Sequence, residues 1–267
     1  MDRRQFTLAT LALGAAPAMA RADEVAALSA WFLKNPARSA ENRVRDPFRH
    51  PAESLRFWGL APGMTVVEIE PSGGSWTEIL APYLRATSGH YVAAVSGDPA
   101  EFKTRYADTS KFGDIEVVPF TAQSGPLVSN GTANLVLTAR NFHNWMWQPG
   151  LVDKYLADFH AAVAPQAILA VEEHRADPRP MVPQARDGYV STAYLVNAVE
   201  GRGFTLEARS EINANPKDTK DYPFGVWTLP PTRRTHAKDQ PTPADFDPKK
   251  YEAIGESDRM TLRFRRA

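Results

Sequence analysis

The stretch VVEIEPSGGSWTEIL, residues 66–80, decides the architecture. Its β-branched run, extended to MTVVEIE at residues 64–70, reads as a strand. Pro71-Ser72-Gly73-Gly74 has the composition of a turn, and Thr77 to Leu84 reads as a helix. A strand, a glycine turn and a helix form a cradle in which backbone amides approach a ligand. The same alternation continues outward. Strands are expected at 90–96, 115–121, 133–139 and 167–173, and helices at 151–163 and 190–200. Asp98-Pro99 is an N-cap followed by proline at the first helical position. Two last strands, 204–212 and 260–265, have no full helix between them, which implies an antiparallel pair. The expected fold is therefore α/β: a doubly wound, seven-stranded sheet, mostly parallel, whose final strand is antiparallel.

Upstream, residues 21–63 are expected to form a helical N-terminal cover. They hold a helical stretch at 24–34, an Arg-rich segment at 37–50, and a helix opened by Pro51 and ended by Ala61-Pro62-Gly63. Residues 64–267 form the main domain. Within it, residues 213–250 are a polar, Pro-rich insert, too long for an idle loop and expected to be an ordered lid. Residues 1–20 have the layout of an export signal. Arg3 and Arg4 precede a weakly apolar stretch at 7–20, and Ala18-Met19-Ala20 is a small-x-small cleavage site. Arg3-Arg4-Gln5-Phe6 resembles the twin-arginine form, which predicts a periplasmic protein. No later segment is apolar enough to span a bilayer, so no membrane insertion is expected after signal removal.

The 267 residues include 31 basic and 31 acidic side chains and no cysteine. Balanced charge argues against nucleic acid as a partner, and the absence of cysteine excludes a thiolate nucleophile or metal site. In a doubly wound sheet, ligands bind outside the carboxyl ends of the strands. The residues just after each strand are therefore the candidates. Glu68, Glu70, Ser72, Gly73 and Gly74 follow or end the first strand, where the two carboxylates favour a cationic or zwitterionic ligand. Asp98 follows the second strand, either as a helix cap or as an acceptor of ribose hydroxyls. Arg140, Asn141, His143 and Asn144 crowd the end of the fourth, with His143 the candidate general base. Glu172, Glu173, His174 and Arg175 close the fifth; a charge network is expected there, and no metal centre, since no HExxH-like spacing is present. Glu256, Ser257, Asp258 and Arg259 read as a solvated hairpin, and Trp227 as either a lid or a core anchor.

These elements resemble the class I S-adenosylmethionine-dependent methyltransferases, with a Rossmann-like sheet. Glu68 matches the acidic residue that ends their first strand, and Gly74 the last glycine of their loop. Glu70 and Ser72 hold the places of the first two glycines. More narrowly, RDPFRHPAESL (45–55), LVLTARNFHNWM (135–146), VEEHR (171–175), INANPKDTKDYPFGVWTLPPT (212–232) and GESDRMTLRF (255–264) are similar to a family of exported bacterial methyltransferases. The resemblance implies S-adenosylmethionine as cofactor and methyl transfer to a small-molecule nucleophile. It places Glu68, Glu70, Ser72, Gly73, Gly74, Asp98, Arg140 and Asn141 at the cofactor, and His143, Asn144 and Glu173 at the chemistry. The alternatives are a periplasmic binding protein, or an enzyme of other chemistry on this fold. Neither acceptor nor oligomeric state follows from the sequence.

Overall fold

The computed structural model describes residues 30–31, 34–129, 131–178 and 180–267. The export signal, and most of the helix expected at 24–34, lie outside them. Seven strands form one sheet: β1 Thr65–Ile69, β2 His90–Val95, β3 Ile115–Pro119, β4 Ala133–Ala139, β5 Val163–His174, β6 Phe204–Ser210 and β7 Arg259–Arg266. Their order is β3-β2-β1-β4-β5-β7-β6. Every pairing from β3 to β5 is parallel. β7 lies between β5 and β6 and runs antiparallel to both. The expected doubly wound sheet with an antiparallel final strand is thus present, and the order reverses between β1 and β4.

The helices are α1 Ala40–Arg43, α2 Asp46–Arg49, α3 Pro51–Phe57, α4 Thr77–Ala86, α5 Pro99–Arg105, α6 Thr109–Phe112, α7 Phe142–Trp145, α8 Leu151–Ala162, α9 Thr192–Glu200 and α10 Pro248–Glu252. They cover both faces of the sheet, because its strands alternate their side chains between two apolar layers. Val67, Ile69 and Val136 join Leu156, Phe159, Leu195 and Val199 on one side. Val66, Leu135 and Leu137 join Leu55, Trp58, Leu80 and Leu84 on the other. The Arg-rich segment, with its ambiguous composition, holds the short helices α1 and α2. Ser39 caps α1 by accepting from the Asn42 amide, and Arg38 forks onto Asp46 at 2.7 Å through both nitrogens.

Residues 213–232 are fastened to the sheet end by polar bonds. Asn215 donates to the Ile254 and Glu256 carbonyls, and the Asp258 amide donates to Asp218 at 2.7 Å. The insert then turns inward, burying Val226 and Leu229. The expected solvated hairpin at 256–259 is corrected here. Glu256, Ser257, Asp258 and Arg259 are all at most 5% exposed, because each finds a partner on another element. Among the described residues no helix is long and apolar enough to cross a membrane.

Candidate functional site

Two cavities open at the carboxyl ends of β1, β2 and β4. The first, of about 370 Å³, is bounded by the loop after β1, the start of α7 and the insert residues Trp227, Pro230 and Pro231. The second, of about 380 Å³, lies toward β2 and α5 and includes Asp98 and Arg105 in its wall. Glu70, Pro71, Ser72, Asn141 and Asn144 border both, so the two form one bent cleft.

The loop after β1 has an unusual backbone. Glu70, Ser72 and Gly74 have φ of 48°, 49° and 76°, three left-handed residues at alternate positions. Only glycine takes this conformation without cost. The chain keeps a glycine-loop path while placing two side chains on it. The Glu70 carboxylate accepts from the Trp145 indole at 2.7 Å, and burial raises its pKa. Gly73 is the open residue of the loop: a Cβ there would meet nothing within 4 Å. Gly74 differs from expectation. It lines neither cavity, and its missing Cβ makes room for Tyr106, whose Oη would lie 1.7 Å from one. Its smallness serves packing within the protein rather than ligand access.

Glu68 borders the first cavity, but its carboxylate is anchored in the protein. It accepts from Tyr91 at 2.5 Å and from Thr77 at 3.0 Å. Burial raises its pKa to about 7 against the pull of those bonds. Asp98 is exposed; it caps α5 through the Ala100 amide at 2.8 Å and lines the second cavity. Asn141 spends its amide on the Ile69 carbonyl at 2.9 Å, tying β1 to β4 at the point where the order reverses.

His143 and Glu173 come together as expected. His143 Nδ1 and Glu173 Oε1 are 3.0 Å apart, and both residues are buried. Glu173 also accepts from the His143 and His174 amides, which fixes its orientation. With Nδ1 held, His143 keeps Nε2 for a ligand, and its ring borders the first cavity 5.7 Å from the Trp227 ring. His174 stands beside it, with Nδ1 2.6 Å from Ser257 Oγ. Burial, together with His143, Arg140 and Arg259, depresses its pKa well below the usual range, so it is neutral at pH 7.

His143, Glu173 and His174, set aside as metal ligands for want of an HExxH-like spacing, offer possible metal-ligand atoms within 4.8 Å of one another. The positive groups around them, Arg140 and Arg259, oppose a dication.

The sequence reading named Arg140 but missed the other arginines of the first cavity, Arg45 and Arg49. Arg45 and Arg49, from α2 and the residue before it, share Glu256 at 3.0 and 2.9 Å. Arg259 joins Glu256 to Glu172 at 3.0 and 2.9 Å, and Arg140 meets Glu172 at 3.0 Å. The available signal was the abundance of arginine at 38–49 beside the acidic run at 256–258.

No family model matches the chain, and neither does any curated relative. Solved structures do. An S-adenosylmethionine-dependent methyltransferase from Aquifex aeolicus is 18% identical, with a TM-score of 0.52 over 71% of this chain and 93% of that one. The cyclase SpnF is 12% identical, with a TM-score of 0.57 over 92% and 94%. The 1,6-didemethyltoxoflavin-N1-methyltransferase of Burkholderia thailandensis, solved with its substrate and S-adenosylhomocysteine, is 14% identical, with a TM-score of 0.50 over 97% and 93%. The strand order, the antiparallel β7 and these likenesses together give the chain the Rossmann-like fold of the class I methyltransferases.

Proposed function

We propose that this protein transfers a methyl group from S-adenosylmethionine to a small-molecule nucleophile. The observation that carries the reading is the left-handed loop Glu70–Gly74 at the junction of two joined cavities, beside a His143–Glu173 pair. The residues fit the cofactor. Asp98 offers a carboxylate for ribose hydroxyls in the second cavity, Gly73 leaves the loop open, and Glu70 sets a carboxylate where the ammonium or sulfonium end would lie. When bound, S-adenosylmethionine supplies an electrophilic methyl. His143, held through Nδ1 by Glu173, accepts the nucleophile's proton at Nε2. Asn144, on the border of both cavities, orients the acceptor, and Trp227 closes the first cavity from above. The twin-arginine-like run Arg3-Arg4-Gln5-Phe6 supports a periplasmic site for this activity.

A second reading, an enzyme of other chemistry in the same cleft, is favoured by one observation: Glu70 puts a side chain where the loop normally has none. Gly73→Val separates the two. The backbone at residue 73 accepts a side chain, and the added methyls would project into open space. S-adenosylhomocysteine is expected to bind the wild type by calorimetry and to lose at least tenfold in affinity to Gly73→Val, with Tm unchanged. His143→Ala is expected to keep that affinity and lose ~10²–10⁴-fold in turnover. A wild-type protein that gives no heat with millimolar S-adenosylhomocysteine would sink the methyltransferase reading.

A further inference from the structure

Arginines and glutamates alternate along one side of the first cavity, with Arg45, Arg49, Arg140 and Glu256 lining it and Arg259 and Glu172 buried behind them. The order is Arg45, Glu256, Arg259, Glu172, Arg140, with Arg49 as a second partner of Glu256. Four guanidinium groups thus bond two carboxylates, and Glu173 adds a further negative charge near Arg140. The donors of the four are not equally engaged. Arg259 is enclosed, with side-chain exposure of 1%, and divides its nitrogens among Glu172, Glu256 and the Phe48 carbonyl. Arg49 is nearly as enclosed and also donates to Ser75 at 2.7 Å. Arg45 and Arg140, the two ends of the chain of charges, are 18% and 17% exposed, and both line the cavity. Arg45 bonds only Glu256, and Arg140 only Glu172, among the described side chains. Each therefore turns unused donors toward the cavity.

A guanidinium with unused donors at a cavity wall is completed by a ligand that accepts from it. Burial lowers the Arg45 pKa, and repulsion from Arg140 and Arg259 adds to the effect while Glu256 opposes it. The cofactor of the proposed function does not use up these donors, since Glu70 faces its cationic end. S-adenosylmethionine bears a sulfonium, an ammonium and one carboxylate, so it brings one further positive charge into the cleft. Its carboxylate can occupy one guanidinium, and the other still faces open volume.

We infer that the methyl acceptor is an anion, a small organic carboxylate that docks its charged end on the Arg45–Arg140 wall. This inference rests on the methyltransferase reading and deepens it. Trp227, Pro230 and Pro231 also line the cavity and offer an apolar surface that suits a planar or aliphatic body. A carboxylate seated there reaches a guanidinium through charge-assisted bonds and presents the rest of the molecule to His143.

The test uses the mature chain and aryl carboxylates, each paired with its neutral primary amide, at saturating S-adenosylhomocysteine. At least one carboxylate is expected to bind ten times or more tighter than its amide. Arg45→Gln is expected to remove about tenfold of that preference, and Arg45→Lys to restore part of it. Arg45 is the partly exposed end of the network, so its replacement spares the buried bonds, and an unchanged Tm checks that. Carboxylates and amides that bind alike, or an Arg45→Gln protein with unaltered preference, would overturn the inference. So would Arg45→Gln weakening S-adenosylhomocysteine tenfold while sparing 5′-methylthioadenosine, since the seat would then belong to the cofactor. Arginine-dependent carboxylate binding by a protein that ignores S-adenosylhomocysteine would keep the anion seat and reject the methyltransferase reading alone.

Discussion

Glu68 is a carboxyl group on the Val66 face of β1, in the layer that also holds Leu135, Leu137 and Tyr91. Its pKa rises from 4.5 to about 7, chiefly because burial disfavours the charged form. The folded state therefore binds a proton that the unfolded state has already released between those two values. Its stabilising effect is complete below pH 4.5 and is lost as pH rises to about 7. The Glu68→Gln protein keeps a neutral amide there, and its stability is expected to exceed wild type by a few kcal/mol, on the order of the shift itself, at pH 8. Urea melts at pH 5 and pH 8 check this: the gap between the two proteins is expected to widen with pH, and a constant gap would refute the assignment. The acidic end of β1 was legible from residue type alone. Its anchoring by Tyr91 and Thr77 was not, because those partners come from β2 and α4. Glu70 and Ser72 show the same limit. Their side chains signalled a departure from a glycine loop, while the backbone kept the loop's path.

At the scale of elements, the strands were legible because their β-branched runs match two-sided burial. β4 spans 133–139 as expected, and β1, β2 and β3 start or end within two residues of expectation. β5 starts four residues early, since Val163 pairs with Ala133 across an irregularity that no periodicity marks. The insert's extent was read from its composition, and its fastening over residues 213–232 was not. Asp258 holds it, taking two bonds from Arg175 at 2.8 and 3.0 Å, one from Lys220 at 3.0 Å and one from the Asn215 amide. Asp258→Ala leaves Arg175 with Glu211 and Lys220 with Asp177 but removes the bonds that tie the insert to the sheet end, a loss of about 1–2 kcal/mol. Limited proteolysis is expected to cut the variant first within residues 213–232 while the sheet stays intact. Cleavage spread over the whole chain would show that Asp258 supports the fold rather than the insert.

Across the whole molecule, the charges balance at 31 against 31, and that equality concealed the site's main electrostatic feature. The arginine network is local. It joins residues 211 apart in sequence, Arg45 and Glu256, a pairing that no window on the chain can show. Topology brings them together, since β7 inserts between β5 and the edge strand β6, setting Glu256 at the cleft and Arg259 behind it. Amide exchange is expected to protect β7 as strongly as β4 and β5, although it is the last strand in the chain. Faster exchange in β7, at the level of β6, would mean the sheet is stable without it.

The place of β7 also sets a schedule. On the ribosome, β6 is complete 49 residues before Arg259 is added, roughly 2–10 s earlier at about 5–20 residues per second. During that interval the edge of β5 lies bare, and β6 has no neighbour to join. The nascent chain thus carries two unsealed edges at the same moment, a template for pairing with other chains. Sealing both is a single event, the entry of one strand, and the same event assembles the arginine wall. A cell that must keep this protein from aggregating has to shield it just then, and it gains a simple signal of completion: a chain whose two edges are closed has also built its cleft.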